Sequence, residues 1–345
     1  MNINDILKYL KEYDGEEITI MEVCGTHTAS IAQNAIPSLL SEKIKLISGP
    51  GCPVCVTVSD YTDRLIELAL SGNVIVTFGD MMRVPGSTLA LKDVKNQGAD
   101  IRMVYSPLEI LKFAEDEKEK SFVFACVGFE TTTPIYAVLV EEIIKRGITN
   151  VKLLTALKTM PNVIRELCKT DGKIDAFLAP GHVAVITGSD AFLPLAKEFN
   201  LPFCVSGFEA EEILSSIYAL TKIKGQGRVL NLYKKAVNSY PNEKASRLVE
   251  KYFEPYDASW RGLGEIKASG MALKKEYAYL DAGSRQLTND YSHKNGCSCA
   301  EIILGKKKPS QCPLYSKVCT PEHPVGACMV SSEGSCFNYI TNDRE

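Results

Sequence analysis

Six of the twelve cysteines in this 345-residue chain fall between Cys297 and Cys336, and Cys52-Pro53-Val54-Cys55 forms a second, tight pair. Cys297, Cys312, Cys319 and Cys336 have fourteen, six and sixteen residues between them. Four soft thiolates at long spacing suit an iron–sulfur cluster, which needs four ligands but does not need them close in sequence. Two cysteines of the region are then left over, most naturally Cys299 and Cys328, which could pair as a disulfide near the cluster. A structural zinc, or a cluster that only staples an irregular domain, is the plainer reading of the same residues.

Cys52 and Cys55 stand just before a predicted helix, whose dipole and free amides make a thiolate more accessible, so the pair reads as a redox dithiol. Half of a zinc site is the competing reading, but the chain has no second Cys-x-x-Cys and no His-x-x-x-His to complete it. Cys24 shares a turn with His27, and a thiolate beside an imidazole suits iron, copper or zinc rather than magnesium. His182 stands open between a cleft residue and a structural one. Cys126, Cys168 and Cys204 lie among apolar neighbours and read as small hydrophobes.

The elements that must position these residues alternate. Strand-like runs recur at Ile18–Val23, Ile44–Ile47, Val74–Phe78, Ile101–Tyr105, Phe122–Val127, Val151–Thr155, Asp175–Ala179 and Phe203–Val205, each followed by a helical pattern. Tyr61–Leu70, capped by Ser59 and Asp60, and Ile135–Arg146, between Pro134 and Gly147, are examples. The rhythm predicts an α/β protein with two Rossmann-like parallel-sheet units of about four strands around a central cleft, plus a small irregular or helical iron–sulfur domain. The expected divisions are residues 1–117 with the Cys24 and Cys52/Cys55 loops, 118–208 as the second unit, 209–255 as a helical connection packing back on the α/β units, and 256–345 as the cluster domain. The charged stretch Glu115 to Lys120 marks the expected join, and Leu214–Ile223 and Val229–Tyr252 the expected helices.

The unusual residues follow predicted strands. Cys24 to Thr28, Gly49 to Cys55, Gly79 to Ser87, Gly128 to Thr133, Pro180 to Val183 and Ser206 to Glu209 are six such loops, and ligands of open parallel sheets bind at the carboxyl ends of strands. The loops place Asp80, Arg83, Glu130 and His182 in the cleft with Cys24, His27, Cys52 and Cys55. Neither Gly-x-Gly-x-x-Gly after the first strand nor Gly-x-x-x-x-Gly-Lys-Ser/Thr occurs, which excludes an ordinary dehydrogenase or P-loop enzyme. With a net charge of −3, nothing in the sequence points to a basic nucleic-acid surface, and the run Lys306-Lys307-Lys308 is too short to make one. With no signal-like amino terminus and no apolar run near the roughly 18 residues of a membrane span, the chain is expected in the cytoplasm without membrane attachment. Grouped cysteines there are more often metal ligands or catalytic groups than structural bridges.

Cys24-Gly-Thr-His-Thr28, Gly49-Pro-Gly-Cys-Pro-Val-Cys55, Phe78-Gly-Asp-Met-Met-Arg-Val-Pro-Gly86, Gly128-Phe-Glu-Thr-Thr132, Pro180-Gly-His-Val183 and Cys328-Met-Val-Ser-Ser-Glu-Gly334 resemble the HypD family of [NiFe]-hydrogenase maturation proteins over essentially the whole chain. The resemblance implies a scaffold that works with HypC to assemble the Fe(CN)2(CO) group later inserted into the hydrogenase large subunit. It implies Cys24 as the iron-binding cysteine, shared with the amino-terminal cysteine of HypC, with His27 close by. Cys52 and Cys55 match the redox pair. Cys297, Cys312, Cys319 and Cys336 match the ligands of a [4Fe-4S] cluster, and Cys299 and Cys328 a second disulfide. Cyanide would arrive as a thiocyanate on the carboxyl-terminal cysteine of HypE, with HypF upstream.

Two other classes keep the same inventory. One is a free-standing iron–sulfur thiol–disulfide oxidoreductase resembling ferredoxin:thioredoxin reductase; the other is a passive interaction scaffold with a structural cluster. Both leave the Cys24 loop and most of the cleft motifs without work.

Overall fold

The β-branched and apolar runs form two sheets in the computed structural model, which describes residues 2–170, 174–291 and 296–342. The strands are β1 (Ile18–Glu22), β2 (Ile44–Ser48), β3 (Val74–Thr77), β4 (Ile101–Met103), β5 (Phe122–Gly128), β6 (Val151–Lys158), β7 (Ala176–Pro180), β8 (Phe203–Ser206), β9 (Val229–Asn231), β10 (Phe253–Trp260) and β11 (Gly264–Leu273). One sheet has the order β2-β1-β7-β8-β9 and is parallel throughout. The other runs β10-β11-β6-β5-β3-β4, parallel except where β11 meets β6 and β10. Helices cross between the parallel strands, so the protein is α/β with two Rossmann-like sheets. The central strands are apolar on both faces, as strands covered by helices must be; every residue of β5 is buried.

All eight strands expected from the sequence form, but the expected division at residues 117/118 cuts through a sheet. The chain leaves the first sheet after β2, lays down β3 to β6 in the second, and returns for β7 to β9. Each of the segments 1–117 and 118–208 therefore gives strands to both sheets. The charge run Glu115 to Lys120 is no linker. Glu117 and Lys120 close an ion-pair cluster with Asp100 and Arg102 beside the edge strand β4, so the run is a solvated helix end.

Two further expectations change. Val229–Tyr252 is helical only over Glu243–Tyr252. Val229–Asn231 instead completes the first sheet, pairing with Phe203–Val205. Residues 253–273, expected as the end of a helical connection and the start of an irregular domain, form a long hairpin. Its turn is made by Gly262 and Gly264, both at positive φ, which glycine adopts without a Cβ penalty. The hairpin joins β6 through Gly270 and Met271, so the irregular cysteine-bearing part begins only after it.

The expected helices Tyr61–Leu70, Ile135–Arg146 and Leu214–Ile223 are present as Ser59–Leu70, Thr133–Lys145 and Ala210–Lys222. Ser59 and Asp60 do not cap the first of these, whose cap is Val58. Their side chains accept the amides of Tyr291, Thr288 and Asn289, and so hold the segment leading to the cysteine region.

Candidate metal and thiol centre

Cys24 lies two residues past the end of β1 and stands immediately before the helix Gly25–Gln33 with extended backbone, so its sulfur lies at a helix amino terminus. Glu22, buried in β1, fixes the turn: its carboxylate accepts the Cys24 amide at 3.0 Å and the Thr28 hydroxyl at 2.5 Å. Burial raises the Glu22 carboxyl to about 7. Burial likewise pushes the Cys24 thiol up to about 12, opposed by the His27 and Thr26 amides and reinforced by the carboxylates of Glu333 and Glu22. The free thiol therefore keeps its proton, and a bound metal cation would have to displace it.

The Cys52 loop packs on this turn. The Gly25 amide donates to the Gly51 carbonyl at 3.0 Å. A Cβ at Gly51 would stand 2.3 Å from the Cys24 nitrogen, so only glycine lets the two loops meet. Cys52 and Cys55 are joined as a disulfide across the turn Pro53–Val56, with Cα atoms 5.2 Å apart. Cys55 Sγ lies 4.0 Å from the Ala327 carbonyl, so the pair abuts the residue before Cys328.

Cys297, Cys299, Cys312, Cys319, Cys328 and Cys336 line one cavity with Tyr315, Gly326 and Met329. It is narrow and opens to solvent. Among the described residues no three cysteine, histidine or carboxylate side chains converge tightly enough to hold a single ion. The cysteines surround a shared space instead. Gly326 keeps that space open, since a Cβ there would stand 2.6 Å from Cys297 Sγ. Burial raises the Cys319 and Cys336 thiols. For Cys312 burial acts the same way but is outweighed by hydrogen bonds from Ser298, Leu314 and Tyr315, so its thiol falls below the ordinary value. A lining of thiols with no carboxylate fits a soft-metal or iron–sulfur group. Cys299 and Cys328 are both free thiols here, and Cys299 contacts both Cys297 and Cys328.

The carboxyl-terminal segment also reaches Cys24. Glu333 packs on Gly25, where an added Cβ would stand 2.3 Å from its own, and accepts a hydrogen bond from Thr26 at 3.4 Å. Burial raises its carboxyl, with Asp80 adding to the effect. Arg83, from the loop after β3, donates to the carbonyls of Pro321 at 3.1 Å and Val330 at 3.4 Å and ties that segment down. Arg261, fully buried, donates to Thr57 O at 3.1 and 2.7 Å and pairs with Asp290 at 3.2 Å.

The remaining sequence candidates lie around this core. His27 is buried, and its Nε2 donates to the Gly207 carbonyl at 2.9 Å; Nδ1 has no partner. Burial lowers its pKa to about 4, so the ring is neutral. It packs on Phe208, on which the exposed His182 ring also stacks at 4.0 Å. Glu130 caps the helix Met160–Lys169, accepting the Met160 amide at 2.8 Å through Oε1, while its buried Oε2 has no partner. Burial raises its carboxyl to about 7. The structure thus brings Cys24, Cys52 and Cys55 together with residues 327–334, and it sets His27 and His182 against the Gly207–Phe208 loop.

Sequence reasoning missed Glu22, Glu333 and Gly326 as positioning residues. Glu22 had a signal: it is the one acid in a strand otherwise fit for complete burial. Glu333 lay inside a quoted motif, but nothing local to it pointed at Cys24.

Fold and site together define a two-sheet α/β protein whose carboxyl-terminal cysteines are folded onto a thiol-bearing edge. The chain matches HypD, described as the hydrogenase formation hypA family, over residues 2–343. It is 38% identical to the HypD hydrogenase maturation factor of Escherichia coli, over 99% of this chain and 96% of that one. It is 39% identical to that of Rhizobium leguminosarum bv. viciae, over 94% and 88%. With a putative hydrogenase expression/formation protein of Methanocaldococcus jannaschii it shares 38% identity over 97% of each chain. The chain belongs to the HypD family of hydrogenase maturation factors.

Proposed function

We propose that this protein, working in the cytoplasm, assembles the Fe(CN)2(CO) group of [NiFe]-hydrogenase on an iron held by Cys24 and by the amino-terminal cysteine of HypC. Cyanide would come from a thiocyanate on the carboxyl-terminal cysteine of HypE. The observation that carries the reading is the packing of three thiol groups in series: Cys24 against Gly51, the Cys52–Cys55 pair beside it, and Cys55 against the Cys328 turn.

The chain's own residues account for most of the chemistry. Glu22 and the first amides of the helix Gly25–Gln33 fix the Cys24 sulfur at a buried helix end, where a thiolate is favoured once a metal takes the proton's place. Cleaving a thiocyanate S–C bond into thiolate and cyanide takes up two electrons. Closing a Cys52/Cys55 dithiolate to the disulfide releases two, so the pair balances the step. Cys297, Cys312, Cys319 and Cys336 would hold a [4Fe-4S] cluster, leaving Cys299 and Cys328 as a further thiol pair. Such a cluster supplies electrons one at a time, which gives the neighbouring dithiol a reason to exist.

Cys52→Ala tests this reading. Iron and sulfide content should match wild type, and cyanide transfer from thiocyanate-loaded HypE should stop. Undiminished transfer in that variant removes the dithiol from the reaction.

A further inference from the structure

Pro53–Val56, which bears the Cys52–Cys55 pair, is a single helical turn, too short to satisfy its own last carbonyls. Its entry is pinned to the first sheet: the Gly25 amide donates to Gly51 O at 3.0 Å, and the Gly49 amide to Glu22 O at 2.7 Å. Its exit is pinned to the second sheet by the tip of the hairpin β10–β11. There the Arg261 amide donates to Val56 O at 2.9 Å, and the Arg261 guanidinium donates to Thr57 O through Nε at 3.1 Å and Nη2 at 2.7 Å. Thr57 closes back on the turn, its hydroxyl donating to Pro53 O at 2.8 Å. Holding Thr57 therefore holds the turn over its whole length.

Arg261 is closed off from solvent, and its Nη1 pairs with Asp290 at 3.2 Å. That carboxylate offsets the charge locally, which leaves directed hydrogen bonds as the main effect of the side chain on the turn. A buried guanidinium is costly, and an apolar side chain of similar volume would fill the space at least as well. Packing alone therefore does not account for an arginine here. Beside it Gly262 packs on Ala300, where an added Cβ would stand 2.6 Å from that of Ala300. Ala300 follows Cys299 in the helix Cys299–Ile303, so one hairpin tip touches both the disulfide turn and the cysteine region.

We propose that Arg261 is the positioning residue of the Cys52/Cys55 dithiol: by gripping Thr57 it keeps the turn wound when the disulfide opens, so the two thiols stay placed to close again. The inference rests on the reading of that pair as the electron source for cyanide transfer. Closing a disulfide in a mobile turn costs the entropy of bringing its ends together, and a turn already held has lost that freedom. Closure against glutathione disulfide forms the Cys52–Cys55 bond and breaks the glutathione S–S bond. Two electrons and two protons pass to the latter, giving two glutathiones. The equilibrium constant of that reaction measures how well the reduced turn is held.

The test equilibrates the full chain, purified without oxygen, in glutathione buffers of graded potential and traps its thiols by acid and alkylation. Trypsin releases residues 46–64, whose only cysteines are Cys52 and Cys55, so mass spectrometry reads this pair alone. Arg261→Met keeps the bulk of the side chain and removes its donors. In that variant the closure constant should fall about tenfold, about 30 mV for a two-electron couple. Arg261→Lys, which keeps the charge but not the fork, should lower it in the same direction and by less, and it serves alone should the methionine variant fail to fold. A side chain that only stabilises the fold would lower the urea midpoint and leave the closure constant where it is in wild type. An unchanged or raised constant in either folded variant overturns the proposal. The measurement needs neither iron at Cys24 nor cyanide, so its failure leaves Cys52→Ala to decide the role of the pair itself.

Discussion

Gly51 lies against the backbone of Cys24: its carbonyl accepts the Gly25 amide at 3.0 Å, and a Cβ on it would stand 2.3 Å from the Cys24 nitrogen. The loop that bears the Cys52–Cys55 pair is thereby held against the turn that bears Cys24. Gly51→Ala forces the two loops apart. Overpacking of this kind costs about 1–3 kcal/mol, so urea unfolding should show a lower midpoint with an unchanged slope. Hydrogenase maturation should fall further than stability does, because the two thiol centres lose their register. A variant with wild-type maturation would show that the contact is incidental.

Gly326 plays the matching part in the cysteine cavity. Its replacement by alanine sets a methyl group 2.6 Å from Cys297 Sγ. Gly326→Ala should lower the iron and acid-labile sulfide of the anaerobically purified protein severalfold while the far-ultraviolet circular dichroism of the two sheets stays as in wild type. Full iron content in the variant would contradict a cluster bound among these cysteines.

Glu130 gives stability a pH dependence of definite sign. Its carboxyl rises from 4.5 to about 7 on folding, through burial. The contribution is fully present below pH 4.5 and is lost as pH rises toward 7, because the folded form holds the proton more tightly. Glu130→Gln keeps an acceptor for the Met160 amide and has no charge to bury. Stability of wild type relative to the variant should therefore fall between pH 4.5 and 7, as measured by urea midpoints; parallel curves would place the carboxylate in water.

His27 acts in the opposite direction. Burial lowers its pKa from 6.5 to about 4, so the stability tied to the neutral ring is present above pH 6.5 and lost as pH falls through 4. His27→Gln retains a donor for the Gly207 carbonyl. The wild type should lose stability relative to this variant on acidification across that range, and a constant difference would mean the ring is protonated in place.

Arg83 fastens the cysteine region to the second sheet through the Pro321 and Val330 carbonyls. Arg83→Met should speed amide hydrogen exchange in residues 321–342 with little change in β5 and β6. Hydrogen bonds from a charged donor contribute about 1.5–3 kcal/mol, enough for at least a tenfold local effect. Uniform exchange throughout would mean that other contacts hold the segment.

Much of the frame was legible in the sequence, because parallel strands buried on both faces are written as short apolar runs; Phe122–Gly128 and Ala176–Pro180 are examples. Their distribution between the sheets was not legible. Parallel pairing depends on contacts between β1 and β7, more than 150 residues apart, and no local pattern records that return. The hairpin Phe253–Leu273 escaped notice because its residues are mixed polar and small, and its burial comes from β6 and the helix Met160–Lys169 packed against it. The cysteines were conspicuous by type and spacing. The groups that position them, Glu22, Gly51, Gly326 and Glu333, become visible only once distant loops meet.

Iron held by Cys24 is the central claim, and infrared spectroscopy tests it most directly. The protein is purified without oxygen after co-expression with HypC, HypE and HypF, as wild type and as Cys24→Ala. Bands of iron-bound cyanide and carbon monoxide should appear in the wild type and be absent from a variant that keeps its fold and its cluster iron. The same bands in Cys24→Ala, or none in a partner-bound wild type with full iron content, would contradict the assignment.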